Sequence, residues 1–83
     1  MDTQKSIFEP PIRINRRYAE MLLAASGVSK TAVARRASVG NATVSNVLRN
    51  RRHVATEKRR AVLRSIADLC HATLDELLMG KAA

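Results

Sequence analysis

The chain is short and strongly basic. Its 83 residues include 15 lysines and arginines against 7 acidic residues, which gives a net charge of +8 at pH 7. A chain of this length buries only about 60% of its unfolded surface, so we expect one marginally stable domain that gains from a partner subunit. One cysteine and two histidines exclude an internal disulfide and any recognisable zinc ligand set. No cofactor or metal is expected, and a reducing cytoplasm is the predicted location.

The first eleven residues, 1–11, lack helical periodicity and end in two prolines. They predict a flexible arm and lack the apolar core of a signal peptide. No apolar run approaches the ~18 residues of a membrane span, so a soluble protein is expected. The folded domain is predicted over residues 12–80.

Helix 1 is predicted from Ile12, and Gly27 ends it. Ala19 and Leu23 flank its apolar stripe. Three arginines lie at its start, where the helix dipole disfavours cations. Contact with phosphate would explain this placement, and a solvated face explains it equally well. The stripe consists of Ile14, Tyr18, Met21, Leu22 and Ala25. The arginines are Arg13, Arg16 and Arg17.

Two short helices joined by a three-residue turn are predicted next. Ser29 suits the N-cap of the first, which covers about residues 30–37, and Ser38 occupies a left-handed turn position. The second runs from Gly40 or Asn41 to about residue 49. Asn50 is suited to the left-handed residue that closes it. The apolar positions that join the two are Val33, Ala37, Val39, Val44, Val47 and Leu48.

Two further helices complete the predicted fold. A longer one starts near Thr56, and the pattern of Thr73 and Glu76 is a capping box that opens a short final helix. Cys70 on the apolar stripe is interpreted as an inert buried thiol rather than a nucleophile. The longer helix buries Val62, Leu63, Ile66, Ala67 and Cys70.

The paired helices lie in the part of the sequence that carries most of the positive charge. Ten of the 15 basic residues lie between Lys30 and Arg64, where Glu57 is the only acid. Such a block usually forms a solvated face, but it indicates nucleic-acid contact where it coincides with a groove-docking motif. Membrane-surface binding is less favoured because no helix carries an aromatic or leucine stripe opposite a cationic one.

Three residues of the second paired helix are predicted to contact DNA bases: Asn41, Ala42 and Asn46. Asparagine pairs with adenine in a bidentate way, and alanine meets a thymine methyl group. The alternative is that the asparagines are merely a helix-start residue and a solvated one. Predicted phosphate contacts are Lys30, Thr43, Ser45, Arg49, Arg51 and Arg52. Three further arginines, which the sequence leaves open to DNA, solvent or a partner subunit, are Arg59, Arg60 and Arg64.

The final helix carries four large apolar residues within six positions. They are Leu74, Leu77, Leu78 and Met79. A one-turn helix cannot hide all four in a small monomer, so part of this face is predicted to form a dimer interface.

A family resemblance rests on residues spread over about 12–80. The chain resembles the Cro and phage-repressor type of helix-turn-helix domain, the XRE family, and the paired helices are also similar to the headpiece of lactose-repressor-type regulators. A full helix ahead of the motif favours the five-helix, lambda-repressor-like arrangement. The resemblance implies operator binding as a homodimer. It departs from the family pattern at Ser38, Gly40 and Asn50. The residues that carry it are Leu22, Gly27, Val33, Ala34, Val39, Thr43, Val44, Ser45, Leu48 and the run LDELL at 74–78.

The predicted class is therefore an all-α helix-turn-helix domain that binds double-stranded DNA and regulates transcription, with repression as the favoured mode. An antitoxin-type module that captures a protein partner through the final helix is the alternative. An RNA-binding role is less favoured because Phe8 and Tyr18 are the only aromatic rings besides the histidines. His53 and His71 have no Cys or Ser at a telling spacing, so no enzymatic activity is expected.

Overall fold

The structure, a computed structural model, describes residues 13–51 and 53–80. The predicted arm at 1–11 and the predicted phosphate contact Arg52 lie outside the described residues. Within them the chain is helical and has no strand, which confirms the all-α class. The helices are α1 (Arg16–Ser26), α2 (Lys30–Ala37), α3 (Asn41–Leu48), α4 (Thr56–Cys70) and α5 (Leu74–Met79).

Local signals set most helix boundaries where they were predicted. The Ser29 hydroxyl caps α2 by accepting a backbone N–H at 3.1 Å. Thr73 and Glu76 form both hydrogen bonds of the capping box on α5. Ser38 and Asn50 adopt the left-handed conformation, with φ of 58° and 57°. These residues accept the conformation because short polar side chains tolerate it better than bulky ones.

The helix α4 is the element against which the others pack, since it contacts α1, α2, α3 and α5. Its predicted apolar stripe is buried, Cys70 included. Ala37 and Val39 are only partly buried at the edge of the core. Core side chains come from every helix, from the segment before α1 and from the connection between α3 and α4. They are Ile14, Ala19, Leu23, Val33, Ala34, Val44, Val47, Leu48, Val54, Val62, Leu63, Ile66, Ala67, Cys70 and Leu77.

The predicted start and buried face of α1 are wrong. The helix begins at Arg16, because the Asn15 side chain caps it by accepting the N–H of Tyr18 at 3.0 Å. Ile14 therefore precedes the helix and cannot set its register. The buried residues are the flanking Ala19 and Leu23, whereas Met21, placed on the predicted stripe, is 54% exposed.

The residues that lead into α1 are held at both sides. The side-chain amide of Asn50 pairs with the backbone of Ile14, accepting its N–H and donating to its C=O, both at 2.9 Å. The N–H of Asn15 donates to the C=O of Leu77 at 2.8 Å. The segment that contains Ile14 therefore links the end of α3 to α5.

Candidate nucleic-acid interface

The α2–turn–α3 unit holds α3 with its polar side facing outward. The turn is closed by a hydrogen bond from the Val39 N–H to the Ala34 C=O at 3.0 Å. Gly40 precedes α3 as its N-cap and contributes no side-chain hydrogen bond. Val44 and Val47 of α3 are fully buried. Burial of one side of α3 leaves its remaining residues for contact with a ligand, as in a groove-docking helix.

The three predicted base contacts lie on the accessible side of α3. Asn41 and Ala42 are exposed and Asn46 is half-buried. Asn41 also donates from Nδ2 to the Thr31 hydroxyl of α2 at 3.0 Å. That bond uses one amide hydrogen and leaves Oδ1 and the second hydrogen, which are the two groups that pair with adenine.

Asn46 has a partner that the sequence did not reveal. Its Nδ2 lies 3.4 Å from Nε2 of His53, in the connection between α3 and α4. Both residues line a shallow cavity of about 190 Å³ together with Thr43 and Lys58. The pair is seven residues apart with a helix end between them, and no periodic pattern predicts such a contact.

Cations lie at both ends of the paired helices. Lys30 is the first residue of α2, while Arg49 and Arg51 follow α3, and all three are exposed. The half-buried Thr43 and Ser45 lie on α3 between them. The arrangement suits a helix that is held by the sugar-phosphate backbone at both ends.

One acid interrupts this cationic surface. Glu20 of α1 pairs with Arg16 at 2.8 Å and with Lys30 at 3.8 Å. The hydrogen bond from Arg16, with the charges of Lys30 and Arg49, lowers the pKa of Glu20 despite partial desolvation. Glu20 is therefore an anion near two cations predicted to contact phosphate.

Arg59 faces neither solvent nor a surface that DNA or a partner subunit could contact, the three alternatives that the sequence left open. It is 3% exposed, and its Nη2 donates to the backbone C=O of Arg51 and of Val54. Burial lowers the pKa of its guanidinium group, and Arg13 adds to the effect. Its Nη1 is buried without a hydrogen-bond partner among the described residues. Arg59 thus fixes the loop that carries Arg51.

The α5 surface divides into a core residue and an exposed apolar group. Leu77 is fully buried within the chain, so it cannot form an interface. Leu74, Leu78 and Met79 are 40%, 42% and 57% exposed. We call these three residues the α5 patch. Beside it lies an open groove of about 200 Å³, lined by Arg60, Leu63 and Arg64 of α4 and by Leu74 and Leu78 of the patch.

Among residues 13–51 and 53–80, no three His, Cys, Asp or Glu side chains are arranged to hold a metal ion. Cys70 is a buried free thiol. None of the helices that the structure describes is long and apolar enough to cross a membrane.

The family of this chain is identified by sequence comparison. A family model described as a helix-turn-helix domain matches residues 16–78 of the 83. The match covers α1 through most of α5, and the chain belongs to the helix-turn-helix domain family. Comparisons with curated proteins and with solved structures give no match. The fold and the family agree on a class of domains that dock a helix into DNA.

Proposed function

We propose that this chain is a sequence-specific transcriptional repressor that occupies a palindromic operator as a homodimer. The observation that carries the proposal is the accessible side of α3, where Asn41, Ala42 and Asn46 lie between cations at either end. Amide side chains read base edges, and flanking cations grip phosphates. Repression follows from occupancy, since a domain seated on an operator excludes other proteins from it.

The α5 patch supports the homodimer. A small domain gains stability by covering exposed apolar residues, and a twofold interface places the same patch on both subunits. Asp75 on α5 and the arginines Arg60 and Arg64 on α4 provide opposite charges around the patch. In a twofold dimer these charges can pair across the interface.

The proposal is tested by selecting bound sequences from random duplex DNA. We expect one site with dyad symmetry and half-sites about one helical turn apart. Affinity for that site should fall with salt, with a log–log slope of about 0.9 for each phosphate neutralised. Recovery of random sequences at all salt concentrations would contradict the proposal.

Two variants separate base contacts from phosphate contacts. N46A should lose discrimination at one position of each half-site, by about 1–3 kcal/mol. R51A should instead weaken binding to all sequences equally and reduce the salt slope by about 1. Identical effects of the two variants would contradict the assigned roles.

The exposed α5 patch also favours a second function, capture of a protein partner by an antitoxin-type module. Removing α5 is not a usable test, because Leu77 belongs to the core. If the wild-type chain is monomeric in sedimentation at the concentrations that saturate its operator, the homodimer is wrong and partner capture is the better account.

A further inference from the structure

The contact between Asn46 and His53 has a chemical consequence for base reading. An amide Nδ2 carries only hydrogens, so it can donate but not accept. The Nε2 atom of His53, 3.4 Å away, accepts this hydrogen when the imidazole is neutral and carries its proton on Nδ1. The other neutral tautomer, with its proton on Nε2, would instead donate to Oδ1 of a turned amide. The Nδ1–H tautomer of the neutral ring therefore fits the amide orientation that the structure shows, and a ring with a proton on Nε2 fits the opposite orientation.

The orientation of the amide matters because adenine recognition depends on which positions the donor and the acceptor occupy. An asparagine pairs with adenine when its Oδ1 accepts from N6 and its Nδ2 donates to N7. With one Nδ2 hydrogen given to His53, the other hydrogen and Oδ1 are available on the outer edge. A protonated imidazole donates from both nitrogens, and an amide that accepts from it must turn by 180°. The donor and the acceptor then exchange places.

We propose that His53 is a specificity-determining residue, whose Nδ1–H tautomer holds the Asn46 amide in the orientation that reads adenine and whose protonation on Nε2 removes that contact. The inference rests on the proposed function, because it requires Asn46 to face a base. His53 is a positioning residue in this scheme, since it acts on the base through Asn46. Its own ring is exposed.

The polar side chains that line the cavity with His53 come from α3 and α4. From α3 the ring faces Thr43 and Asn46, neither of which changes charge in the range where histidine titrates. From α4 it faces Lys58, the one charged side chain that lines the cavity among the described residues.

The chain provides a matched control. It contains two histidines, and the other one, His71, is exposed and ends α4 in a left-handed conformation with φ of 54°. Asparagine tolerates that conformation. H71N therefore removes the second histidine without strain, whereas H53A removes the proposed one and H53Q keeps a neutral polar group that does not titrate.

The test is selection of bound sequences from random duplexes at about pH 8 and about pH 5.5 with the full chain. The base read by Asn46 is the position whose preference disappears in N46A. In the wild type and in H71N we expect the adenine preference there to fall about tenfold at the lower pH. H53A should show the weaker preference at both pH values, and H53Q should show no change with pH.

Each result has a single meaning. A wild-type chain that selects a motif with the same preference at both pH values overturns the role of His53 and leaves the repressor proposal standing. So does a preference in H53A equal to that of the wild type, or an N46A variant that loses no preference at any position. If the wild type selects no motif at either pH, the proposed function itself fails. Thermal unfolding of H53A in the absence of DNA identifies any loss that comes from folding.

Discussion

Two regions of this domain differ in what they expose. The outer side of α3 and the ends of α2 and α3 present amides, hydroxyls and cations, while the α5 patch presents leucines and a methionine. Both regions are built on the same core, and α4 contacts both α3 and α5. The difference shows that one small core can support a polar, cationic surface and a separate apolar one.

Arg59 and Arg60 are neighbours on α4 that belong to different environments. Arg59 is buried under the loop after α3, whereas Arg60 lines the groove beside the α5 patch. We expect R59A to lower the free energy of unfolding by about 2–4 kcal/mol, because it leaves two carbonyl groups without a donor and opens a cavity. R60A should change it by less than about 0.5 kcal/mol. Urea unfolding measures both, and equal effects would show that Arg59 is not a structural residue.

Disruption of the α5 patch should impair dimerisation while each subunit still binds its half-site. L78E places a charge in the proposed interface, so we expect operator affinity to fall about 10- to 100-fold as the dimer dissociates, while half-site binding is kept. Sedimentation and binding to whole and half sites measure this.

M21E is the control, because Met21 is an exposed apolar residue on α1, outside the patch. If M21E and L78E weaken dimerisation equally, the patch is not the interface.

The cations at the ends of α3 should contribute through charge alone. R49A is expected to weaken binding about 5- to 10-fold at low salt and to reduce the salt slope by about 1, because one phosphate contact is lost. Arg36 pairs with Asp68 of α4 at 3.1 Å, so R36A is the control and should have a smaller effect. A slope that stays constant in R49A would remove Arg49 from the interface.

The smallest expected effect belongs to Glu20. E20Q removes an anion 3.8 Å from Lys30, so DNA binding should become about two- to threefold tighter for all sequences at low salt. The cost to stability should be below about 1 kcal/mol, because the pairs of Glu20 are largely exposed. Because pairing lowers the pKa of Glu20, its stabilising charge is present above the ordinary carboxyl pKa and is lost only as the pH falls through the lowered value. Weaker binding by E20Q would contradict this electrostatic account.

Much of the fold was predictable because its signals are local. Ser29, Ser38 and Asn50, with the capping box at Thr73, each act within a few residues of their own position, and the structure places them as predicted. The register of α1 failed for the opposite reason. Ile14 is apolar and buried, but it is held by Asn50, 36 residues away, and not by the helix it precedes.

The accessibility of the candidate site residues was predictable from the sequence, but their side-chain partners were not. The accessibility of Asn41 and Ala42 follows from the apolar spacing of α3, because that spacing fixes which side is buried. The contacts of Asn46 with His53 and of Lys30 with Glu20 are tertiary, so no spacing rule finds them. Burial of Arg59 did leave a signal. It stands three and four residues before Val62 and Leu63, which extends the apolar stripe of α4 by one turn.

The double hydrogen bond between Asn50 and Ile14 has a consequence for cooperativity. Together with the bond from Asn15 to Leu77, it makes the backbone ahead of α1 a link between the end of α3 and α5. The amide protons of Ile14 and Asn15 should then exchange with deuterium only when the whole domain opens, although they precede the first described helix. Loosening of α5 would reach the end of α3, and with it the proposed DNA-binding surface, through two backbone positions.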